Sequence, residues 1–290
     1  MKKSKFKYIL LLMITIFISG CSLFKRDTME DITIITTTYA NEYVIDYLYG
    51  ENAIINSIYP DDINIDTYTF TDKQIKDNSE KDLFIYMGKT NDADIAIKYL
   101  NNNKDLKLID ATFGMEYTNG VEELWMNPSN LLMISQNIKN GLSEYITSSY
   151  LIKEIEKNYE NLKIELSELD AEIRLSFENA NNKTIYTNTK SLNYLKKYGL
   201  NVIVVNEKDT QYEKNLTLLK KSITNKEAKN FYILEYTTIS KDIQKLVDEK
   251  QIQLLTIRNL KNITDDERNN DLNYISLSKQ NLDLLKKELY

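Results

Sequence analysis

The chemistry open to this 290-residue sequence is narrowed first by what it lacks, for it contains no histidine. That removes the commonest general base, and with it serine–histidine and cysteine–histidine catalysis. It also removes the usual nitrogen ligand of zinc. One cysteine is present, Cys21, so no disulfide forms within the chain. It closes the run Ile18-Ser19-Gly20-Cys21, which looks like a lipobox: two small residues for a signal peptidase, then a thiol that accepts a diacylglycerol. The seven glycines form no phosphate-cradling loop, which argues against a nucleotide fold of the usual kind. Oxygen donors remain. Glu235, directly after the apolar run Phe231–Leu234, is expected at a crevice, because ligands of open α/β sheets bind beyond the carboxyl ends of the strands. A strand-terminal polar residue with no function is the competing expectation. A hydrolase working through two carboxylates finds no spaced pair apart from the positions considered below.

The ends of the chain and its charge bound the class. Lys2, Lys3, Lys5 and Lys7 precede an apolar stretch from Tyr8 to Ile18. That stretch falls short of the roughly 20 apolar residues of a stable span and has the proportions of a cleavable leader. Residues 1–20 therefore read as a lipoprotein signal peptide and residues 21–30 as a tether, with Cys21 as the lipidation site. The expected location is the outer face of a bacterial cytoplasmic membrane. An ordinary leader with a chance cysteine is the competing reading. The whole chain has a net charge of −6, and loss of the four leader lysines takes it to −10. Such an acidic chain is a poor nucleic-acid partner.

The elements that must position any site follow a strand–helix alternation. Strands are expected at 31–37, 53–59, 82–87 and 106–110, and helices at 41–49 and 93–101, with Pro128 opening another. The clearest period lies in Ser148–Ala180, where Leu151, Ile152, Ile155, Tyr159, Leu162, Leu166, Leu169, Ile173 and Phe177 recur in steps of three and four. An isolated coiled coil is one reading. A spine between two lobes is preferred, because the alternation resumes behind it. Strands are expected there at 183–187, 201–205, 230–234 and 251–257, and helices at 189–198, 213–223, 240–249 and 271–289. The fold class is thus α/β: two small lobes, 31–147 and 182–290, each a parallel sheet flanked by helices. One long helix, 148–181, joins them, and the crevice lies between them.

Several stretches carry a family resemblance. Ile34-Ile35-Thr36-Thr37-Thr38-Tyr39 resembles a first strand and turn, and Asp82-Leu83-Phe84-Ile85-Tyr86-Met87-Gly88 an "ADLFVYNG" strand. Glu123-Leu124-Trp125-Met126-Asn127-Pro128 resembles an "H-x-W-L-D-P" motif, and Tyr194–Leu200 a "YLAKRYGL" run. Asn273–Ser276 with Asn281-Leu282 resembles a terminal helix. Together the chain resembles the substrate-binding lipoproteins of zinc and manganese ABC importers, over nearly all of the mature sequence. The resemblance implies two lobes on a rigid helix, a metal ion carried between them, no enzymatic activity, and an ABC permease and ATPase as partners of a monomeric receptor.

Carried over position by position, the resemblance gives an unusual donor set. The family's first histidine falls on Asp66 and the second, two residues before Trp125, on Glu123. The third ligand falls on Asn188. The fourth, usually an aspartate, falls on Arg258 with Asn259 beside it. Asp66, Glu123 and Asn188 offer oxygen only, which suits Mn²⁺, Mg²⁺ or Ca²⁺ better than zinc. Arg258 keeps its proton and repels a metal. Alternatively it bridges Asp66 and Glu123 and closes a crevice with no metal in it, as in a degenerate receptor acting in surface interaction or adhesion. Trp125 reads as a packing residue rather than a ligand stacker.

Overall fold

The computed structural model describes residues 29–290. The leader, Cys21 and most of the tether lie outside the described residues.

Eight strands alternate with helices in two lobes of matching design. The first lobe holds β1 (Ile32–Thr36), α1 (Tyr39–Tyr49), β2 (Ala53–Ser57), α2 (Asp72–Ser79), β3 (Leu83–Tyr86), α3 (Asp92–Asn102), β4 (Lys107–Asp110), α4 (Glu123–Met126) and α5 (Pro128–Tyr145). A 30-residue helix, α6 (Ser149–Glu178), follows. The second lobe holds β5 (Thr184–Thr187), β6 (Asn201–Val204), α7 (Tyr212–Thr224), β7 (Asn230–Leu234), α8 (Lys241–Asp248), β8 (Gln253–Ile257), α9 (Asp265–Asn269) and α10 (Tyr274–Leu289). Each sheet is fully parallel, in the orders β2-β1-β3-β4 and β6-β5-β7-β8. The inner strands are the apolar ones. Leu83, Phe84 and Ile85 of β3, and Phe231 and Tyr232 of β7, are buried, as expected where helices cover both faces of a sheet.

The spine keeps its expected stripe with one exception. Leu151, Ile155, Tyr159, Leu162, Leu166, Leu169, Ile173 and Phe177 are buried, but Ile152 is exposed. Neighbours on a helix point about 100° apart, so Leu151 and Ile152 cannot both face the lobes. At about 1.5 Å per residue, α6 is about 45 Å long. Ser148 caps its start by accepting from the Leu151 N–H.

The remaining departures have local causes. Residues 190–198 form a 3₁₀ segment rather than an α-helix. Leu192, Leu195 and Tyr198 are its buried apolar residues, and a strict step of three suits three residues per turn. Besides the four-residue α4, two helices escaped the periodic reading, α2 and α9. Both are short and polar, and both are opened by capping boxes, Thr71 with Gln74 and Thr264 with Glu267. Within the expected tether, Met29 is buried in the main core, and the Tyr49 hydroxyl donates to its carbonyl.

Candidate functional site

The strand ends of the two lobes meet, and the segment after β8 ties them together. Tyr39 N–H, at the start of α1, donates to the Lys261 carbonyl at 2.9 Å, and Asp62 N–H donates to that of Ile263 at 3.2 Å. The Asn262 side chain donates to the Ile63 carbonyl at 2.9 Å. Arg268 then grips Asp61 and Glu42 at 2.7 Å each. Trp125, fully buried as its packing role requires, adds a pin between the lobes: its indole N–H donates to the Asn259 carbonyl at 2.8 Å. So the crevice is not an open gap but a seam with pockets on either side.

Arg258, Glu235 and Asn259 come together at this seam. Glu235 follows β7 and Arg258 follows β8, and these strands are neighbours, so the two side chains start from adjacent positions. Arg258 pairs with Glu235 and, at 2.7 Å, with Glu267 of α9. It also donates to the Asn262 carbonyl at 3.1 Å. It does not bridge Asp66 and Glu123, the pairing allowed by the sequence. Sheet adjacency decides the matter. Glu267 was not singled out from the sequence; its capping box was the available signal. Asn259 accepts the Lys261 N–H through its side chain at 2.9 Å, which fixes the turn that aims Lys261.

Asp66 sits in a single 3₁₀ turn, Ile65–Thr67, and pairs with Lys261 across the seam. The two differ sharply in exposure: 13% for the lysine side chain and 61% for the aspartate. Both line a cavity of about 660 Å³ with Tyr59, Tyr68, Tyr117 and Asp92. Asp92 opens α3 and is buried. Burial raises its carboxyl above the usual range, while the Thr37 and Thr90 hydroxyls, the Met87 N–H and the Lys261 ammonium pull it back. The Thr37 hydroxyl lies beside that carboxylate, yet it is fully buried and makes no hydrogen bond of ordinary geometry. Neither Lys261 nor Asp92 was marked by the sequence. A lysine in a polar loop and an acid in a first helical turn both look ordinary there.

Glu123 and Asn188 are engaged elsewhere. Glu123 is buried, and its two oxygens accept from the Thr118 N–H at 2.7 Å and the Asn119 side chain at 3.2 Å. Asn188 follows β5, donates to Thr237 Oγ1 at 2.7 Å and to the Thr238 carbonyl at 3.0 Å, and accepts from the Leu234 N–H at 3.3 Å. It borders a different pocket, with Lys190, Asp209 and Tyr236. Asp66, Glu123 and Asn188 thus share no hydrogen-bond partner. Among the described residues no group of three or more Cys, Asp or Glu side chains is placed to hold a metal ion.

Twin parallel lobes carried on one long helix and meeting at their strand ends define the class of solute-binding proteins that serve ABC importers. The chain belongs to the zinc-uptake complex component A family, described as periplasmic, whose model matches residues 34–288. The family is one of solute-binding proteins and not of enzymes. The high-affinity zinc uptake system protein ZnuA of Bacillus subtilis (strain 168) is 22% identical over 285 residues, covering 90% of this chain and 88% of its own. The metal-dependent lipoprotein YcdH from Bacillus subtilis superposes with a TM-score of 0.75 at 21% identity, over 89% of this chain and 99% of that one. The zinc-bound ZnuA-like domain of AdcA from Streptococcus pneumoniae gives 0.73 at 20%, again over 89% and 99%. At such identities the structural likeness shows the fold. No helix among the described residues is long and apolar enough to cross a membrane.

Proposed function

We propose that this protein is the cargo-binding subunit of an ABC importer for a divalent cation, anchored through a lipid on Cys21 and handing its ion to a membrane permease powered by an ATPase. The observation that carries this reading is the family match over residues 34–288, combined with a pocket at the seam between the lobes whose lining includes Asp66 and Asp92. Asp66 is the expected ligand with the most open carboxylate. Glu123 and Asn188 brace the neighbouring loops in this reading, since their polar atoms are taken up there. The donors are oxygens, so the cargo is a hard ion, with Mn²⁺ preferred to Zn²⁺.

One experiment reads anchor, assembly and cargo together: native mass spectrometry of detergent-extracted protein after exposure to Mn²⁺, Zn²⁺, Ca²⁺ or Mg²⁺. The expected species is a monomer that begins at a diacylglyceryl Cys21 and carries one Mn²⁺. A chain that takes up none of the four ions would reject the cargo, and an unmodified Cys21 would reject the anchor.

A further inference from the structure

We propose that the cavity at the seam is a binding site for a small organic zwitterion, a molecule of the amino acid class with a carboxylate, an amine and an apolar body, taken up either free or as the chelating shell of a divalent ion. The chelated form deepens the reading above and rests on it; the free form does not.

The lining serves both signs of charge. Lys89, Lys98 and Lys261 stand against Asp66, Asp92 and Asp94. Among the described residues such a set gives a bare ion no cage, but it matches a molecule that carries one charge of each sign. Four of these groups are engaged. Lys89 pairs with Glu116 at 2.9 Å, Lys261 pairs with Asp66, and Asp92 accepts from the Met87 N–H at 3.3 Å. Lys98 and Asp94 are not. They lie four residues apart on α3, the spacing at which opposite charges on a helix commonly pair, yet among the described residues neither has an ion-pair partner. One ammonium and one carboxylate are thus left over at the cavity.

The apolar body has a wall to rest on. Tyr59, Tyr68 and Phe70 line the cavity and pack on one another, with ring centroids 5.7, 5.1 and 5.0 Å apart. A hydrated ion gains nothing from such a surface, whereas an apolar group buries area against it. Tyr59 adds a polar handle. It is only 7% exposed, and its hydroxyl has no hydrogen-bond partner among the described residues. Burial, with the nearby Asp92 and Asp66 charges, keeps the phenol protonated. An unpaired donor in a covered place is costly, and a ligand carboxylate would accept from it.

Place and size agree with this ligand. Tyr59 follows β2 and Lys89 follows β3, on either side of β1, where the strand order reverses. Ligands of open α/β sheets bind at such a point. The cavity of about 660 Å³ falls within the range of organic-ligand sites, about 300–1,000 Å³, and far exceeds the needs of a bare ion. Lys261 of the second lobe is part of the lining, so an occupant touches both lobes.

The test is calorimetric titration of the protein in three arms: Mn²⁺ alone, the standard L-amino acids and nitrilotriacetate each alone, and the same molecules with equimolar Mn²⁺. At least one organic probe should bind in the micromolar range. Tyr59→Phe should weaken that probe by about tenfold or more, while the ligand-free variant melts no lower than wild type because the lost hydroxyl had no partner. Lys98→Met, at an exposed position, should weaken it several-fold. A probe that binds equally well with and without Mn²⁺ supports the inference and removes the cation from the cargo reading. A probe that binds only with Mn²⁺ supports both. Mn²⁺ alone binding as tightly as any mixture overturns the inference and leaves the cargo reading standing. No probe binding more tightly than millimolar overturns it too, as does an affinity unchanged in both Tyr59→Phe and Lys98→Met.

Discussion

Two clusters at the seam are built on the same plan, one cation between two carboxylates, and they differ in almost everything else. Arg258 is set between Glu235 and Glu267, all three being mostly covered, with side-chain exposures of 17%, 14% and 14%. Glu235 also accepts from the Asn259 N–H and Glu267 from the Thr264 N–H, so each carboxylate has further partners. Lys261 pairs with Asp66, which is open to water, while the nearby Asp92 feels its charge and is buried. A guanidinium forks to several acceptors at once, while an ammonium is a point charge on a flexible stem. The difference separates a covered clamp from a half-open pair. The arginine cluster belongs to the second lobe and holds its terminal loops in shape. The lysine pair crosses between the lobes, with its aspartate open to solvent.

The largest effect is expected on the arginine side. Arg258→Met leaves two mostly buried carboxylates facing each other without their cation, and removal of one partner from a buried ion pair costs about 3–5 kcal/mol. Denaturant unfolding should show a fall of that size in stability. A loss under about 1 kcal/mol, typical of exposed pairs, would erase the contrast between the clusters.

A second measurement bears on the lysine side and gives a pH signature. Burial holds the Asp92 carboxyl above the ordinary carboxylate range, which for a free aspartate lies near about 3.9. The folded chain therefore keeps that proton more tightly than the unfolded chain does. By linkage this contribution to stability is present at low pH and is lost as pH rises through the raised folded value. Asp92→Asn lacks the titration. The stability of Asp92→Asn relative to wild type should climb as pH rises from the ordinary carboxylate range through the raised one, then level off. A difference that is flat with pH would show that Lys261 and the surrounding donors neutralise the burial fully.

The contrast between rod and seam also shows what can be read from sequence. The spine was legible residue by residue, because a long amphipathic helix states its buried face through a period that nothing else produces; only Ile152 strayed. The inner strands β3 and β7 were legible as apolar runs. The site was legible as a place and not as a set of contacts. Glu235 and Arg258 were placed at the crevice through the strand ends and the family motifs, but their pairing depended on β7 and β8 being neighbours in the sheet. Lys261 depends on a turn held by Asn259 and Tyr39 from opposite ends of the chain. No local pattern encodes such a contact, so a side chain that crosses between lobes looks like any other loop lysine.

The smallest expected effect completes the comparison. The pair of Lys261 with Asp66 contributes little to folding, because the aspartate is largely solvated and a pair of that kind is worth about 0–1 kcal/mol. Lys261→Met should lower stability by no more than that, against several times as much for Arg258→Met. Methionine keeps most of the aliphatic stem, so the packing of the covered portion is retained. Screening offers an independent check: at about 1 M salt the Debye length is about 3 Å, and the difference between Lys261→Met and wild type should shrink toward zero, while the Arg258→Met deficit, arising from covered charges, should persist. A large and salt-insensitive loss in Lys261→Met would mean that the lysine is as firmly built in as the arginine. The seam would then be closed by two fastenings of similar strength.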